Sequence, residues 1–196
     1  LGNGLEIHFQ RRDVPWCAVT FVVHSGPKDD PENKKGLAHF VEHCISEGFP
    51  GIDTETIDLA FERRGGTADF GETIYTNSTY SFVVPLERRE LQDALNLFGI
   101  LLLQSDVTAK LTQERKAVTN EYYEEFGTGR KKRRVEMRRR LLFGNHKLGS
   151  YTRPIGNISA IKRITAGDVK KFYKRYYAPQ NISLVVLGGI TKRELM

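Results

Sequence analysis

The string His39-Phe40-Val41-Glu42-His43 constrains this chain more than any other part of its sequence. On an α-helix, residues three and four positions apart lie on one face, so two imidazoles and a carboxylate would converge there. Two histidines at this spacing can bind zinc, and the glutamate between them can act as a base toward water at the metal. The string therefore predicts a helix over residues 36–46 that carries a metal centre.

The predicted helix has two faces of different character. One is an apolar stripe made of Leu37, Phe40, Val41 and Cys44. The other carries His39, Glu42, His43 and Ser46. An apolar stripe packs on a core and leaves the polar face free to line a site. Because Cys44 falls on the apolar stripe, we expect it to be a buried thiol and not a ligand.

The third ligand of the metal must come from elsewhere, since a catalytic zinc usually takes three protein ligands and a water. Glu121 is the strongest candidate, on a second helix predicted over residues 108–126. Glu114 lies two helical turns earlier on the same face. Two aligned carboxylates favour one ligand and one group that holds a ligating histidine in place.

Short strands and helices share the rest of the chain. Strands are predicted at 5–9 and 18–24, joined as a hairpin, and at 73–75, 79–84 and 182–187. Helices are predicted at 54–64, 86–103 and 165–177, and a basic helix follows the break at 127–129 and ends near 143–144. This mixture predicts an α+β fold, with a largely antiparallel sheet backed by helices on one face. We expect a single domain over residues 1–196.

Charge and composition exclude several classes of protein. The net charge of +6 is uneven, because residues 130–140 carry eight cations against Glu136 alone. No aromatic residue interrupts this basic stretch, so we expect no nucleic-acid partner. The longest nearly apolar run, residues 95–103, is too short to cross a bilayer, so we expect no membrane partner. The composition, 39% hydrophobic and 28% charged, is that of a globular chain.

The remaining histidines and the cysteines give weaker signals. His8, His24 and His146 have no metal-binding neighbours in the sequence, so we assign them structural or surface roles. The only cysteines are Cys17 and Cys44, which argues against a disulfide framework. The sequence contains no recognisable targeting segment, and it favours a reducing compartment such as the cytoplasm only slightly.

The combined motifs resemble the pitrilysin/insulinase family of metallopeptidases, which includes the mitochondrial processing peptidases. The resemblance covers essentially the whole chain. Its core is the helix of the His-x-x-Glu-His motif, preceded by Gly36, and the string from Glu114 to Glu121. Further matching segments are Asn3-Gly4-Leu5, Gly65-Gly66, Tyr176-Tyr177-Ala178-Pro179-Gln180-Asn181 and Gly188-Gly189.

The resemblance implies one Zn²⁺ per chain and a role for each site residue. It implies His39, His43 and Glu121 as the zinc ligands, Glu42 as the general base, and Glu114 as a carboxylate behind the ligands. The implied activity is that of a zinc endopeptidase, a hydrolase acting on extended peptides or unfolded segments. The implied partner is a second related domain, as a homodimer or a separate subunit, because no second homologous domain follows in these residues.

The segment at residues 65–80 departs from the family pattern. In the family a substrate strand lies along the sheet edge that this segment forms. Here Asp69-Phe70 stands where an Asn-Ala pair is usual, and Glu72 stands where a threonine is usual. We therefore expect different substrate contacts at this edge.

Two alternatives to an active peptidase follow from the same sequence. One is a non-catalytic family member, a structural or regulatory subunit such as the core proteins of respiratory complexes, against which the intact His39, Glu42, His43 and Glu121 argue. The other is a binding module that uses the basic stretch at 130–140 to hold an acidic partner.

Overall fold

The chain forms a five-stranded sheet with helices packed against it. A computed structural model describes residues 1–47, 54–127, 129–144, 146 and 154–195. The strands are β1 (Glu6–Arg11), β2 (Trp16–Val23), β3 (Thr67–Thr73), β4 (Ser78–Pro85) and β5 (Ile182–Gly188). They lie in the order β1-β5-β2-β4-β3, so β1 and β3 form the edges of the sheet. Three strand pairings are antiparallel and one, between β1 and β5, is parallel, which confirms the predicted fold class.

The helices follow the predicted order, with two short additions. They are α1 (Leu37–Ser46), α2 (Thr54–Glu62), α3 (Arg88–Gln104), α4 (Leu111–Phe126), α5 (Arg130–Phe143), α6 (Ile158–Arg163), α7 (Ala166–Tyr176) and the short α8 (Lys192–Leu195). The sequence pattern did not predict α6, which spans only 6 residues, or the short α8. The predicted break before the basic helix is present at Gly127 and Gly129, and Thr128 lies outside the described residues.

One face of the sheet forms the core. Side chains of β2 and β4 alternate between buried and half-buried, as expected for strands with one covered face. Phe98 of α3 is fully buried against this face, with its ring centroid 6.0 Å from that of Phe21 and 5.0 Å from that of Phe82. Helix α1 packs against β3, α4 and α7, which places the His-x-x-Glu-His motif between the sheet edge and α4.

The predicted hairpin between the first two strands is wrong. Strand β5 lies between them, parallel to β1 and antiparallel to β2. The reason is burial: most residues of β5 are buried, although Val185 is exposed, whereas most residues of β1 are exposed. The more apolar strand takes the interior position, and the polar strand takes the edge.

Strand β3 starts earlier than predicted. It begins at Thr67, whereas the sequence predicted a strand at 73–75. Asp69 and Gly71 are poor strand formers, so local propensity obscured it. Pairing with β4 stabilises β3 all the same, with a shift of register between Asp69 and Glu72.

The basic helix α5 projects from the rest of the fold. It contacts α4, and most of its described side chains are exposed. Exposed apolar residues lie among and after its cations, with Met137 at 65%, Leu141 at 77% and Leu142 at 70% relative exposure. Among the described helices, α5 included, we find none with the length and apolar character needed to cross a membrane.

Candidate metal centre

Helix α1 is held at its start by a carboxylate outside the helix. The Asp30 carboxylate accepts hydrogen bonds from the backbone N–H of Gly36 at 2.7 Å and of Ala38 at 2.8 Å. Gly36 itself has φ 98°, a left-handed conformation that favours glycine. Asp30 therefore satisfies helix donors that would otherwise be unpaired, and it fixes the end of the helix next to His39.

Three ligand atoms converge between α1 and α4. The Oε2 of Glu121 lies 3.2 Å from the Nε2 of His43 and 3.5 Å from the Nε2 of His39. The two imidazole rings meet edge to face, with centroids 4.7 Å apart. The helix spacing of α1 brings the histidines together, and α4 supplies the carboxylate from the far side.

Glu42 stands beside these atoms and is buried. Its Oε2 lies 3.9 Å from the Nε2 of His39, and it accepts a hydrogen bond of 3.2 Å from the Oγ1 of Thr73. His39, Glu42 and His43 could also form a metal-binding group by themselves. Glu121 lies closer to His39 than Glu42 does, so its geometry is the better one for a third ligand.

Glu114 lies on the other side of His43. Its Oε2 is 3.5 Å from the Nδ1 of His43, and the side chain is only 3% exposed. A carboxylate at Nδ1 favours the tautomer that leaves Nε2 free to bind a metal. The structure thus places both predicted carboxylates of α4 against the same imidazole.

The two histidines differ in protonation. Burial, together with the charge of His43, lowers the pKa of His39 to about 4, so its ring is neutral at physiological pH. Burial also acts to lower the pKa of His43, but hydrogen bonds to Glu114 and Glu121 outweigh it and raise that pKa to about 10. Without a metal, His43 is therefore an imidazolium held between two carboxylates.

The pKa values of Glu42 and Glu121 are also shifted in opposite directions. Burial raises the pKa of Glu42 to about 7, although the charge of His43 and the Thr73 hydrogen bond act to lower it. Burial acts to raise the pKa of Glu121 as well, but its hydrogen bond with His43 and the charges of both histidines leave it below the ordinary value. Glu121 is thus set to stay ionised, as a ligand must, and Glu42 to exchange a proton near neutral pH.

The donor set fits zinc. Zinc binds imidazole nitrogen and carboxylate oxygen at about 2.0–2.2 Å in a tetrahedral arrangement, so two of its ligand atoms lie roughly 3.3–3.5 Å apart. The separations of 3.2 and 3.5 Å from Glu121 to the two histidines are close to this value. Two imidazoles and one carboxylate are also a known ligand set of catalytic zinc.

Some residues around the centre were not predicted from the sequence. Asp30 stands six positions before Gly36 and reaches the helix through a folded loop, so no local capping pattern reveals it. Thr73, which was not predicted, links β3 to α1 through Glu42. Ser46 was predicted on this face of α1, but its hydrogen bond to the carbonyl of Phe70 on β3 was not. These contacts depend on tertiary packing.

Other candidate residues lie elsewhere. Cys44 is buried at 4% exposure, which confirms the expectation from the apolar stripe of α1. Cys17 is also buried, and both cysteines are free thiols. The Nε2 of His24 contacts the Oγ of Ser183 at 2.7 Å, and the Nε2 of His8 contacts the Oε1 of Glu6 at 3.3 Å.

Comparison with known proteins gives two matching sequence families. Residues 9–154 match the family described as Insulinase (Peptidase family M16). Residues 163–196 match one described as Peptidase M16 inactive domain.

Relatives match the whole of this chain with part of their own length. Probable zinc protease PqqL of Escherichia coli strain K12 is 27% identical over 207 residues, covering 100% of this chain and 22% of that protein. Core protein I of the mitochondrial ubiquinol-cytochrome-c reductase complex of Euglena gracilis is 26% identical, covering 100% of this chain and 39% of that protein. The chain therefore spans well under half the length of these relatives.

A solved structure shows the same fold. The crystal structure of the periplasmic protease PqqL from Escherichia coli superposes with a TM-score of 0.84 and 24% sequence identity. The match covers 100% of this chain and 22% of that one.

Proposed function

Because the chain belongs to the insulinase family, peptidase family M16, we propose that it is the catalytic domain of a zinc-dependent endopeptidase. The observation that carries this proposal is the contact of the Glu121 carboxylate with both imidazoles, 3.2 Å from His43 and 3.5 Å from His39, with Glu42 beside them. The family also includes domains described as inactive, so the intact constellation matters as much as the family itself.

The residues of this chain have distinct tasks in hydrolysis. His39, His43 and Glu121 would hold one zinc ion per chain, and Glu114 would keep the imidazole of His43 in its ligating orientation. When bound, zinc lowers the pKa of a water molecule and polarises the scissile carbonyl. Glu42 accepts the proton of the attacking water and then gives it to the leaving amine. Its burial favours both steps, because it brings the pKa of the carboxyl to about 7.

The neighbouring sheet edge suits an extended substrate. Strand β3 ends the sheet, and its bulged part from Asp69 to Glu72 lies against α1. An edge strand offers free backbone N–H and C=O groups, to which an extended peptide can add as a further strand. We therefore propose extended peptides or unfolded segments as substrates.

A second domain of the same fold belongs to this proposal. The relatives are much longer than this chain. We interpret residues 1–196 as one domain with one metal centre. We propose that this unit acts with a second related domain, in another copy of the chain, a separate subunit or the same polypeptide.

The test is peptide hydrolysis by the intact gene product, measured with and without a chelator. Cleavage of extended peptides that a zinc chelator abolishes and added Zn²⁺ restores is the expected result. Absence of any cleavage from a fully zinc-loaded protein, supplied with every candidate partner, would contradict the proposed activity.

A non-catalytic subunit is the second candidate. The similarity to core protein I of a respiratory complex favours it. A protein that binds zinc, assembles stably with other subunits and cleaves no peptide would support this candidate over the first.

A further inference from the structure

A line of buried hydroxyl groups leads from the core of the domain to Glu42. The hydroxyl of Tyr80 lies 3.0 Å from that of Tyr177, and the Tyr177 hydroxyl interacts with the side chain of Ser78. The Oγ of Ser78 lies 2.9 Å from the Oγ1 of Thr73, and that atom lies 3.2 Å from the Oε2 of Glu42. All four hydroxyl-bearing residues are less than 9% exposed.

The direction of these hydrogen bonds follows from the number of protons. Each hydroxyl carries one proton, and an ionised carboxylate can only accept. Thr73 must therefore donate to Glu42, which leaves it only the role of acceptor toward Ser78. Ser78 then donates to Thr73. The protons of Thr73 and Ser78 both point toward the carboxylate.

Ser78 has one competing acceptor. Its Oγ also lies 3.3 Å from the backbone carbonyl of Ser25, which is a longer contact than the 2.9 Å to Thr73. The shorter contact completes the line, and aligned hydrogen bonds of this kind polarise and strengthen one another.

The line joins three parts of the fold to helix α1. Thr73 ends β3, Ser78 and Tyr80 belong to β4, and Tyr177 directly follows α7. The carboxyl group of a glutamate rotates over a broad range about its last bond unless something holds it. A single donor fixed on both sides can therefore set the orientation of the Glu42 carboxylate.

We infer that Thr73 is the positioning residue of Glu42, held in its donating orientation by Ser78. The inference rests on the proposed function, in which Glu42 is the base. Thr73 does not touch the proposed metal ligands, so its loss should leave zinc binding intact and change the position of the Glu42 carboxylate.

The experiment compares Thr73→Val with Thr73→Ser in the intact gene product. Valine keeps the shape of threonine and removes the hydroxyl, whereas serine keeps the hydroxyl and removes the methyl group. The matched control is Thr79→Val, the same exchange at a half-buried position of the same hairpin. Crystal structures give the position of the Glu42 carboxylate, elemental analysis gives the zinc content, and peptide assays give kcat and KM.

We expect Thr73→Val to keep zinc, to rotate or displace the Glu42 carboxylate, and to lower kcat about tenfold to a hundredfold with KM within about twofold. Thr73→Ser should restore the carboxylate position and most of kcat, and Thr79→Val should resemble the wild type. If Thr73→Val does not fold, Thr73→Ala against Thr73→Ser gives the same comparison.

Two results would overturn the inference. One is a Thr73→Val protein with the Glu42 carboxylate in place and kcat unchanged. The other is a Thr73→Ser protein as defective as Thr73→Val, since the methyl group and not the hydroxyl would then matter. The crystallographic comparison needs no activity, so an inactive wild type would contradict the proposed function and still decide the role of Thr73.

Discussion

At the scale of single residues, the pKa values of the two histidines of the centre are shifted in opposite directions. Burial keeps His39 neutral, with a pKa of about 4, while the carboxylates of Glu114 and Glu121 outweigh burial at His43 and raise its pKa to about 10. A metal that binds both rings must displace a proton from His43 alone. Without a metal, the positive charge of His43 is therefore paired with the carboxylates of Glu114 and Glu121. A bound divalent cation would take the place of the proton that His43 loses.

The identity of the site residues could be inferred from the sequence because helix geometry fixes their spacing. Their spacing places His39, Glu42 and His43 on one face of α1, and it places Glu114 and Glu121 on one face of α4. The closeness of Glu121 to both histidines was predicted from its alignment with Glu114 on one helix face and from the family resemblance, since no local rule brings α4 to α1. The contact of Thr73 with Glu42 could not be predicted from the sequence, because it also depends on how distant elements pack.

Glu42→Gln should keep zinc and lose hydrolysis. The amide has the shape of the carboxylate but cannot accept a proton from water, so we expect a fall in kcat of about a hundredfold to ten-thousandfold. Elemental analysis and a peptide assay on the same sample measure both properties. Glu124→Gln, at an exposed position of α4, is the matched control. Equal peptidase rates for Glu42→Gln and an active wild type would remove Glu42 as the base.

At the scale of secondary structure, the metal-binding helix is fixed at both ends. Asp30 holds its first turn, and Ser46 donates from its last residue to the carbonyl of Phe70 on β3. The helices were predicted well, because apolar periodicity is a local property. The partners of β1 and β2 were not predicted, because strand order depends on which strand is the more buried, and β5 is the last strand in the chain.

The pKa of Asp30 predicts how stability depends on pH. Burial raises it from 3.8 to about 7, against the hydrogen bonds from Gly36 and Ala38 and the charge of Lys35, and with a small contribution from Asp29. Between these two values the folded protein holds a proton that the unfolded chain has released. The contribution of Asp30 is therefore greatest below about pH 4 and falls as the pH rises to about 7.

Asp30→Asn should remove this part of the pH dependence. Because asparagine cannot ionise, the free energy of unfolding of the variant, relative to that of the wild type, should rise by roughly 1–4 kcal/mol from pH 4 to pH 8. A constant loss from weaker capping adds to this difference at every pH. Urea unfolding of both proteins across this range measures the difference, and other titrating groups cancel from it. A difference that does not change with pH would show that burial does not raise the pKa of Asp30.

Phe98 anchors helix α3 to the sheet. It is fully buried, and its ring lies close to those of Phe21, Phe61, Phe70 and Phe82. Phe98→Ala should lower the free energy of unfolding by about 3–5 kcal/mol. Leu103→Ala, at a residue of the same helix that is 42% exposed, should cost much less. Similar urea midpoints for the two variants would contradict this picture of the core.

At the scale of the whole molecule, the centre lies beside β3, which is an edge strand of the sheet in the described part of the chain. A domain of the same fold placed opposite would cover that edge and could contribute groups that stabilise the oxyanion. The exposed basic helix α5, with its apolar end, is a plausible surface for such a partner. The sequence predicted the basic helix, and its charge indicated only that a partner would be acidic.

The chain alone should therefore be a poor peptidase. Loss of one oxyanion-stabilising donor costs about a hundredfold to a thousandfold in turnover. Per-site turnover should rise with chain concentration or with an added partner, in parallel with assembly followed by light scattering. A strictly monomeric chain with full zinc occupancy, whose turnover no partner changes, would contradict this expectation.

The zinc content of the purified protein tests directly whether His39, His43 and Glu121 bind a metal. The purified protein, reconstituted with Zn²⁺ and dialysed, should retain close to one zinc per chain, and Glu42→Gln should retain the same amount. His43→Ala and Glu121→Gln should retain much less, whereas His8→Ala, outside the centre, should behave as the wild type. A wild type that retains no zinc, or a His43→Ala protein that binds it equally well, would contradict the assignment of His39, His43 and Glu121 as the ligands.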